Sequence, residues 1–240
     1  NWDNYQNITF WNDLDHIGID GYFPISIDKT PSVEKAIEKW SSINTELEEF
    51  SKKLKKPILF TEYGYRNIDY AGKQPWIDDQ QPSLNNEAQS NLYSAFYESI
   101  WKKKWFTGGF LWKWYPNHST SGGKNNNRFT PQNKPVEEII KNNAGSKISL
   151  MVDFGKVDLS DIPNASLSKV SLYRVAAHKH QILDAIVFAN SIAEKGYEVA
   201  LQLMGVTRYT QDDFELFLKP LKDSKLTYLY FADSYGSLLP

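Results

Sequence analysis

Glu62 lies in PILFTEYGY (57–65), an apolar run that ends in Glu-Tyr-Gly-Tyr. In a parallel α/β fold the side chains that do chemistry gather at the C-terminal ends of strands. A carboxylate there has two readings: a catalytic group, or an ion pair with a nearby cation, for which Arg66 is close in sequence. Two other runs end in a similar way. HIGIDGYFPI (16–25) offers Asp20 and Tyr22, two apart and so on one side of a strand. TGGFLWKWYP (107–116) offers Phe110, Trp112 and Trp114 on one side, Lys113 and Tyr115 on the other. Aromatic rings beside a carboxylate suit a sugar, whose apolar ring face stacks while its hydroxyls find polar partners. Core packing is the competing reading for each tryptophan.

These residues need a scaffold of strands and helices. The strand at 16–25 precedes a helical stretch that Ser32 can cap ahead of Glu34 and Glu38 and that runs to about Leu54. After the strand at 57–65 come a polar loop with Gly72, Pro75 and Pro82, a helix over 86–103, the strand at 107–116 and a short helix over 136–142. Further along, KISLMVDFG (147–155), VSLYRVAAH (170–178), EVALQLMGV (198–206) and TYLYFADS (227–234) read as strands, with helices near 180–195 and 210–222. Near-continuous apolar strands alternating with helices imply a parallel sheet buried on both faces, in the lineage of the (β/α) TIM barrel. A closed barrel needs eight strands and the sequence supplies seven, so the expected fold is a barrel-derived, incomplete α/β assembly. The doubly wound alternative lacks a Gly-rich phosphate loop after a first strand.

All eight Trp precede residue 115, and Gly122-Gly123, Pro131, Pro135 and Asn142-Asn143-Ala-Gly-Ser punctuate the stretch beyond it. A seam is therefore expected at 143/144, between segments 1–143 and 144–240, whose strands are expected to share one composite assembly with a continuous parallel sheet. The 27 basic and 29 acidic residues are mixed, for a net charge of −2, which argues against nucleic-acid or anionic-membrane partners. The absence of cysteine excludes disulfides, zinc-thiolate sites and a Cys nucleophile. No apolar run reaches the roughly 18 residues of a membrane span, and NWDNYQ lacks a signal-peptide layout. These features describe a soluble chain and leave its compartment open. Asn1 stands just before a helical pattern and Pro240 just after an apolar strand, the layout of a piece of something longer.

NWDNYQNITFWNDLDHIGIDGYFPIS, KPILFTEYGYRN, WFTGGFLWKWYP and RFTPQNKP resemble, in order and spacing, the sixth to eighth βα units of glycoside hydrolase family 113. That family contains β-mannanases of the large barrel clan of retaining glycosidases. The resemblance implies that Glu62 is the nucleophile, that Tyr22 supports it, and that Trp112 or Trp114 floors the sugar site. Asp20 and Tyr65 join as substrate-side groups, and the implied ligand is a mannose-type carbohydrate. Retaining hydrolysis also needs a second carboxyl about 5 Å away. In this clan it is a Glu after Asn on the fourth strand, whereas the one Asn-Glu pair here, Asn86-Glu87, sits at a helix start where capping is expected. The expected activity is thus a carbohydrate-compatible pocket with little or no hydrolysis. Two other readings stand beside it: a non-catalytic chimeric fold, in which two chains could complete each other by self-association, and a residual oxo-acid lyase.

LYRVAAHKHQILDAI, EVALQLMGVTRYTQDDF and LTYLYFADSYGSLLP resemble the third to sixth units of the barrel family of pyruvate-dependent aldolases and hydroxymethylglutaryl-CoA lyase, especially the hydroxy-oxovalerate aldolases. Together the two resemblances imply a chimera. The second places Asp233 in a pocket. His178-Lys-His180 looks like that family's metal-binding His-x-His pair, yet it follows the fourth-unit strand rather than the seventh, which leaves a pocket-lining or helix-capping role open. No metal and no cofactor are expected.

Overall fold

A computed structural model describes residues 1–79, 83–115, 118–143, 148–168, 170–232 and 234. The chain divides into two compact units, Asn1–Gly145 and Ser146–Leu239. Both are α/β, and every strand pair in them is parallel, as the alternation of apolar strands with helices predicts. Within each unit the described strands pair in a sheet, of three strands in the first and four in the second.

In the first unit, β1 (Ile17–Asp20), α1 (Val33–Leu54), β2 (Ile58–Tyr63), α2 (Asn86–Phe96) and β3 (Phe106–Leu111) build a sheet of order β1-β2-β3, and α3 (Val136–Asn143) comes after them. Ser32 caps α1 by accepting a hydrogen bond from the Lys35 amide at 3.3 Å. Lys55, in the left-handed region at φ 54°, ends the helix. Ala36, Trp40, Leu47 and Ser51 form its buried stripe, the 3.6-residue period expected of a helix laid on a sheet. Trp40 meets Phe23 and Phe96, and Phe96 reaches Phe60 and Phe106, so an aromatic layer joins α1 and α2 to the strands. α2 passes into a wider π turn over Tyr97–Trp101, within the stretch expected to continue as helix.

Two strands stop earlier than their apolar runs suggest, because their backbones find partners other than strands. The Ile25 and Ser26 amides both donate to the Gly72 carbonyl, at 2.9 and 3.2 Å, which draws the segment after β1 toward the 70–73 turn. Beyond β3, the Tyr115 amide donates to Gln132 Oε1 at 2.6 Å and its carbonyl accepts from Gln132 Nε2 at 2.8 Å. A buried glutamine thereby replaces a neighbouring strand.

In the second unit, β4 (Ile148–Asp153), β5 (Val170–His178), α4 (Ile182–Glu194), β6 (Glu198–Met204), α5 (Gln211–Lys222) and β7 (Tyr228–Ala232) build a sheet of order β4-β5-β6-β7. Thr210 and Asp213 cap α5 reciprocally.

Candidate active site

The C-terminal ends of β1, β2 and β3 lie side by side because the pairs are parallel and in sequence order. Asp20 is the register partner of Glu62, and the Gly21 amide donates to the Glu62 carbonyl at 2.6 Å, so the chain leaving β1 is held beside the glutamate. Two residues on, the Tyr22 hydroxyl donates to Glu62 Oε2 at 3.1 Å. Tyr22 is 8% exposed and stands edge-on to Phe129, with ring centroids 6.2 Å apart. Burial first, then the Glu62 charge and hydrogen bond, holds the Tyr22 hydroxyl well above the ordinary phenol pKa. It therefore acts at neutral pH as a fixed hydrogen-bond donor to the carboxylate. Thr61 Oγ1 donates to Asp20 Oδ1 at 2.6 Å, which orients the second carboxylate of the pair.

Trp112 comes in from β3: its amide donates to the Tyr63 carbonyl at 2.8 Å, immediately after Glu62 in β2. Gly64 makes room for it, since a Cβ there would lie 2.4 Å from the Trp112 carbonyl oxygen. Gly64→Ala is expected to push this backbone aside at a cost of about 1–3 kcal/mol; an unchanged urea midpoint would show that the two segments can part freely. Lys113 places its ammonium 5.1 Å from the Trp112 ring and 5.2 Å from the Tyr115 ring. Trp114 lies beside His118, ring centroids 6.1 Å apart. Both tryptophans are half-buried, so part of each ring meets solvent.

Tyr65, expected on the substrate side, is placed otherwise. It is 1% exposed and stands perpendicular to Tyr93 of α2 at 5.5 Å, because residues 63 and 65 share the strand side that faces that helix. Arg66, the candidate ion-pair partner of Glu62, instead bonds Asp79 Oδ1 at 3.2 Å and the carbonyls of Ile77 and Asn127. Asn86 and Glu87 occupy the first turn of α2, where Asn85 is the cap, accepting from the Ala88 amide at 2.8 Å. His178 and His180 are exposed at the end of β5, with parallel rings 6.3 Å apart, and the His178 amide donates to Gln181 at the start of the helical segment. Among the described residues no group of three or more His, Asp or Glu side chains could hold a metal ion. Asp233 lies outside the described residues.

The residues that sequence reasoning passes over are those that fix the loop of 126–134. Gln89 Nε2 donates to the carbonyls of Tyr65 and Phe129, at 2.8 and 3.2 Å, and so positions the ring that backs Tyr22. A polar residue in the buried stripe of α2 was the available signal. Lys134 is buried too, and its ammonium donates to the Arg128 carbonyl at 2.7 Å. Burial, with the Arg66 charge adding to it, lowers its pKa from 10.5 to about 7. Between those pH values the unfolded chain carries the proton and the folded chain does not, so stability rises with pH, by up to about 1.4 kcal/mol per unit. Below pH 7 the full cost of the buried ammonium is present. Above pH 10 the trend reverses, because burial raises the pKa of Tyr22, Tyr63, Tyr65, Tyr93 and Tyr97 and only the unfolded phenols then ionise. Urea midpoints should therefore climb from pH 7 toward 10, and Lys134→Met should flatten the climb. A flat wild-type profile would contradict the burial of this amine.

The sequence profile of Glycoside Hydrolase Family 113 matches residues 1–134. Among solved structures, the GH113 β-mannanase AaManA from Alicyclobacillus acidocaldarius, in complex with ManMIm, is 23% identical over 58% of this chain and 41% of its own, with a TM-score of 0.47. Two structures of GH113 β-1,4-mannanase, one of them a complex, are 24% and 25% identical over 60% of this chain and 43% of theirs, each with a TM-score of 0.49. The chain thus spans about two fifths of the length of these relatives. No curated protein matches it. The family match takes in β1, β2, β3 and the loop that backs Tyr22, more than half of the 240 residues, and on that ground the chain belongs to glycoside hydrolase family 113.

Proposed function

We propose that the first unit carries a remnant retaining-glycosidase site, in which Glu62 is the nucleophile, Tyr22 holds it, and Trp112 and Trp114 offer ring faces to a mannose-configured sugar. The hydrogen bond from Tyr22 to Glu62 at 3.1 Å, made at the ends of adjacent parallel strands, is the observation that supports this most. In the reaction a Glu62 oxygen bonds to the anomeric carbon while the glycosidic carbon–oxygen bond breaks and its electron pair leaves with the departing oxygen. A water oxygen then bonds to the anomeric carbon as the Glu62 oxygen–carbon bond breaks, its electron pair returning to the Glu62 carboxylate, and the water's proton passes to solvent. Asp20 is held by Thr61 on the adjacent strand and is a substrate-side group in this reading. The Asn-Glu pair that the family's second carboxyl would require is spent in the first turn of α2, so hydrolysis of unactivated mannosides is slow or nil. Cleavage of an activated aryl mannoside, with and without Glu62, tests the assignment.

The second unit, on this proposal, is an aldolase-like barrel fragment. Support comes from β5, α4, β6, α5 and β7, which succeed one another in βαβαβ order within a parallel sheet. The chain is then a chimera of two barrel lineages, and self-association is one way in which open sheets could be completed.

A further inference from the structure

Seven lysines gather at the end of the first unit's sheet opposite to Glu62. Lys52, Lys53, Lys55 and Lys56 close α1 and lead into β2, and Lys102, Lys103 and Lys104 fill the turn before β3. We propose that this face docks an acidic polypeptide segment, a run of Asp and Glu side chains. The inference goes beyond the glycosidase reading and does not rest on it, since the face lies at the start of β2 and Glu62 near its end.

Strand pairing brings the two runs of lysine together. Ile58 is the register partner of Phe106, and its amide donates to the Trp105 carbonyl at 2.8 Å, so residues 55–57 and 103–105 enter the sheet side by side. The end of α1 is tied to this entry: the Lys56 amide donates to the Ser51 carbonyl at 3.2 Å, and Ser51 Oγ donates to the Lys56 carbonyl at 2.7 Å. Lys52 pairs with Glu48 at 2.6 Å, and the Glu48 carboxyl is held below its ordinary range by Lys52 first, with the Lys103 charge adding to it. The helix end and the turn therefore share one electrostatic surface.

That surface is left without counter-charge. Elsewhere Lys29, Lys35, Lys141, Lys156, Lys179 and Lys225 each sit on a carboxylate. Of the seven, only Lys52 makes an ion pair among the described residues, and Lys56 donates to the Leu14 carbonyl. Lys53, Lys55, Lys102 and Lys104 are exposed. Like charges left together repel, and an anionic partner that neutralises them is steered to the face before contact. The surroundings select its chemistry. All four Arg of the chain lie elsewhere, so the bidentate forks that suit phosphate are absent. Trp105 is 8% exposed, and Trp101 packs against Tyr63, Phe96, Tyr97 and Phe106, so stacked nucleic-acid bases have little to rest on. On the other side of β2, exposed Asp13 and Asp15 stand just before β1, where a flat anionic bilayer would meet them. A narrow acidic chain laid over the starts of β2 and β3 avoids both.

The test is a titration of a fluorescein-labelled deca-glutamate peptide with the full chain, followed by anisotropy. Saturable binding is expected, weakening about tenfold or more as ionic strength rises from about 0.02 to about 0.15 M, because screening shortens the reach of exposed charges. Lys102→Gln combined with Lys104→Gln should weaken it by about fivefold or more, and Lys53→Gln should act in the same direction from the helix side. Lys219→Gln combined with Lys222→Gln removes the same charge from exposed positions of α5 and should change binding by less than about twofold. All these side chains are exposed, so circular dichroism should stay as it is in the parent chain. Equal weakening by the two double variants, no saturation in the millimolar range, or tighter binding of a fifteen-nucleotide oligothymidine or of phosphatidylserine vesicles would each overturn the proposal. Aryl-mannoside cleavage reads the Glu62 site separately and should be unchanged in the variant of Lys102 and Lys104.

Discussion

Glu62→Gln is expected to remove essentially all cleavage of an activated aryl mannoside, a loss of about 10³-fold or more, while leaving an already negligible rate on mannan oligosaccharides where it was. The two substrates separate the two halves of the chemistry. An alkoxide leaving group needs a proton as the glycosidic bond breaks, and a missing general acid costs roughly 10² to 10⁴ in rate. An aryl oxide of low pKa leaves without that proton, so attack by Glu62 alone suffices for the first step, and water then releases the sugar slowly, without the general base that the same missing carboxyl would supply. The amide that replaces the carboxylate in Glu62→Gln keeps a hydrogen-bonding partner for Tyr22 but carries no charge to attack with. Efficient mannan cleavage that disappears with Glu62→Gln would reveal a recruited second carboxyl, for which Asp20, its register partner, is the first candidate to test. If neither substrate reacts and mannose-configured inhibitors do not bind, the remnant-site proposal fails and the unit is a scaffold only.

Phe60→Ala is expected to cost the first unit about 3–5 kcal/mol. Phe60 is fully buried, with its ring 4.9 Å from Phe106, 5.8 Å from Phe23 and 6.0 Å from Phe96, so its loss opens a cavity that touches both helix and sheet partners. Gly21 and Gly109 already crowd this part of the strand layer: a Cβ at Gly21 would meet the Phe60 ring at 2.4 Å, and one at Gly109 would meet the Phe60 Cβ at 3.1 Å. A loss of this size is a large fraction of the roughly 5–15 kcal/mol typical of a domain. Tryptophan emission isolates the readout, because all eight Trp lie in this unit. Ile27→Ala, at a position 79% exposed, is the control and should shift stability by less than about 0.5 kcal/mol. A Phe60→Ala midpoint close to that control would mean that the aromatic layer is not what holds the unit together.

The sequence reading finds each strand to within a few residues, because long apolar runs with turn residues at both ends have few alternatives. It overruns where a side chain takes the place of a strand partner, as Gln132 does at Tyr115, since no local pattern reports a bond across seventeen residues. Alternation puts Asp20 and Tyr22 on one side of a strand, and the structure brings Tyr22 onto Glu62. Alternation equally implies that Tyr65 differs in side from Glu62, and its burial against Tyr93 is the consequence.

The amino-acid sequence by itself determined the parallel α/β class, the cap of α1 at Ser32 and the place of Glu62 at a strand end. These depend on periods of two and 3.6 residues and on local capping, which neighbouring residues specify. Only the tertiary structure decided which partner each charged or polar side chain takes. Arg66 could reach Glu62 by proximity in sequence, yet it pairs with Asp79, and Tyr22, forty residues away, takes the Glu62 oxygen. The order and register of the strands within each unit were likewise decided there. The reason is physical: hydrogen bonds and ion pairs depend on distances of about 3 Å between atoms far apart in the chain, and such distances are set by how whole elements pack.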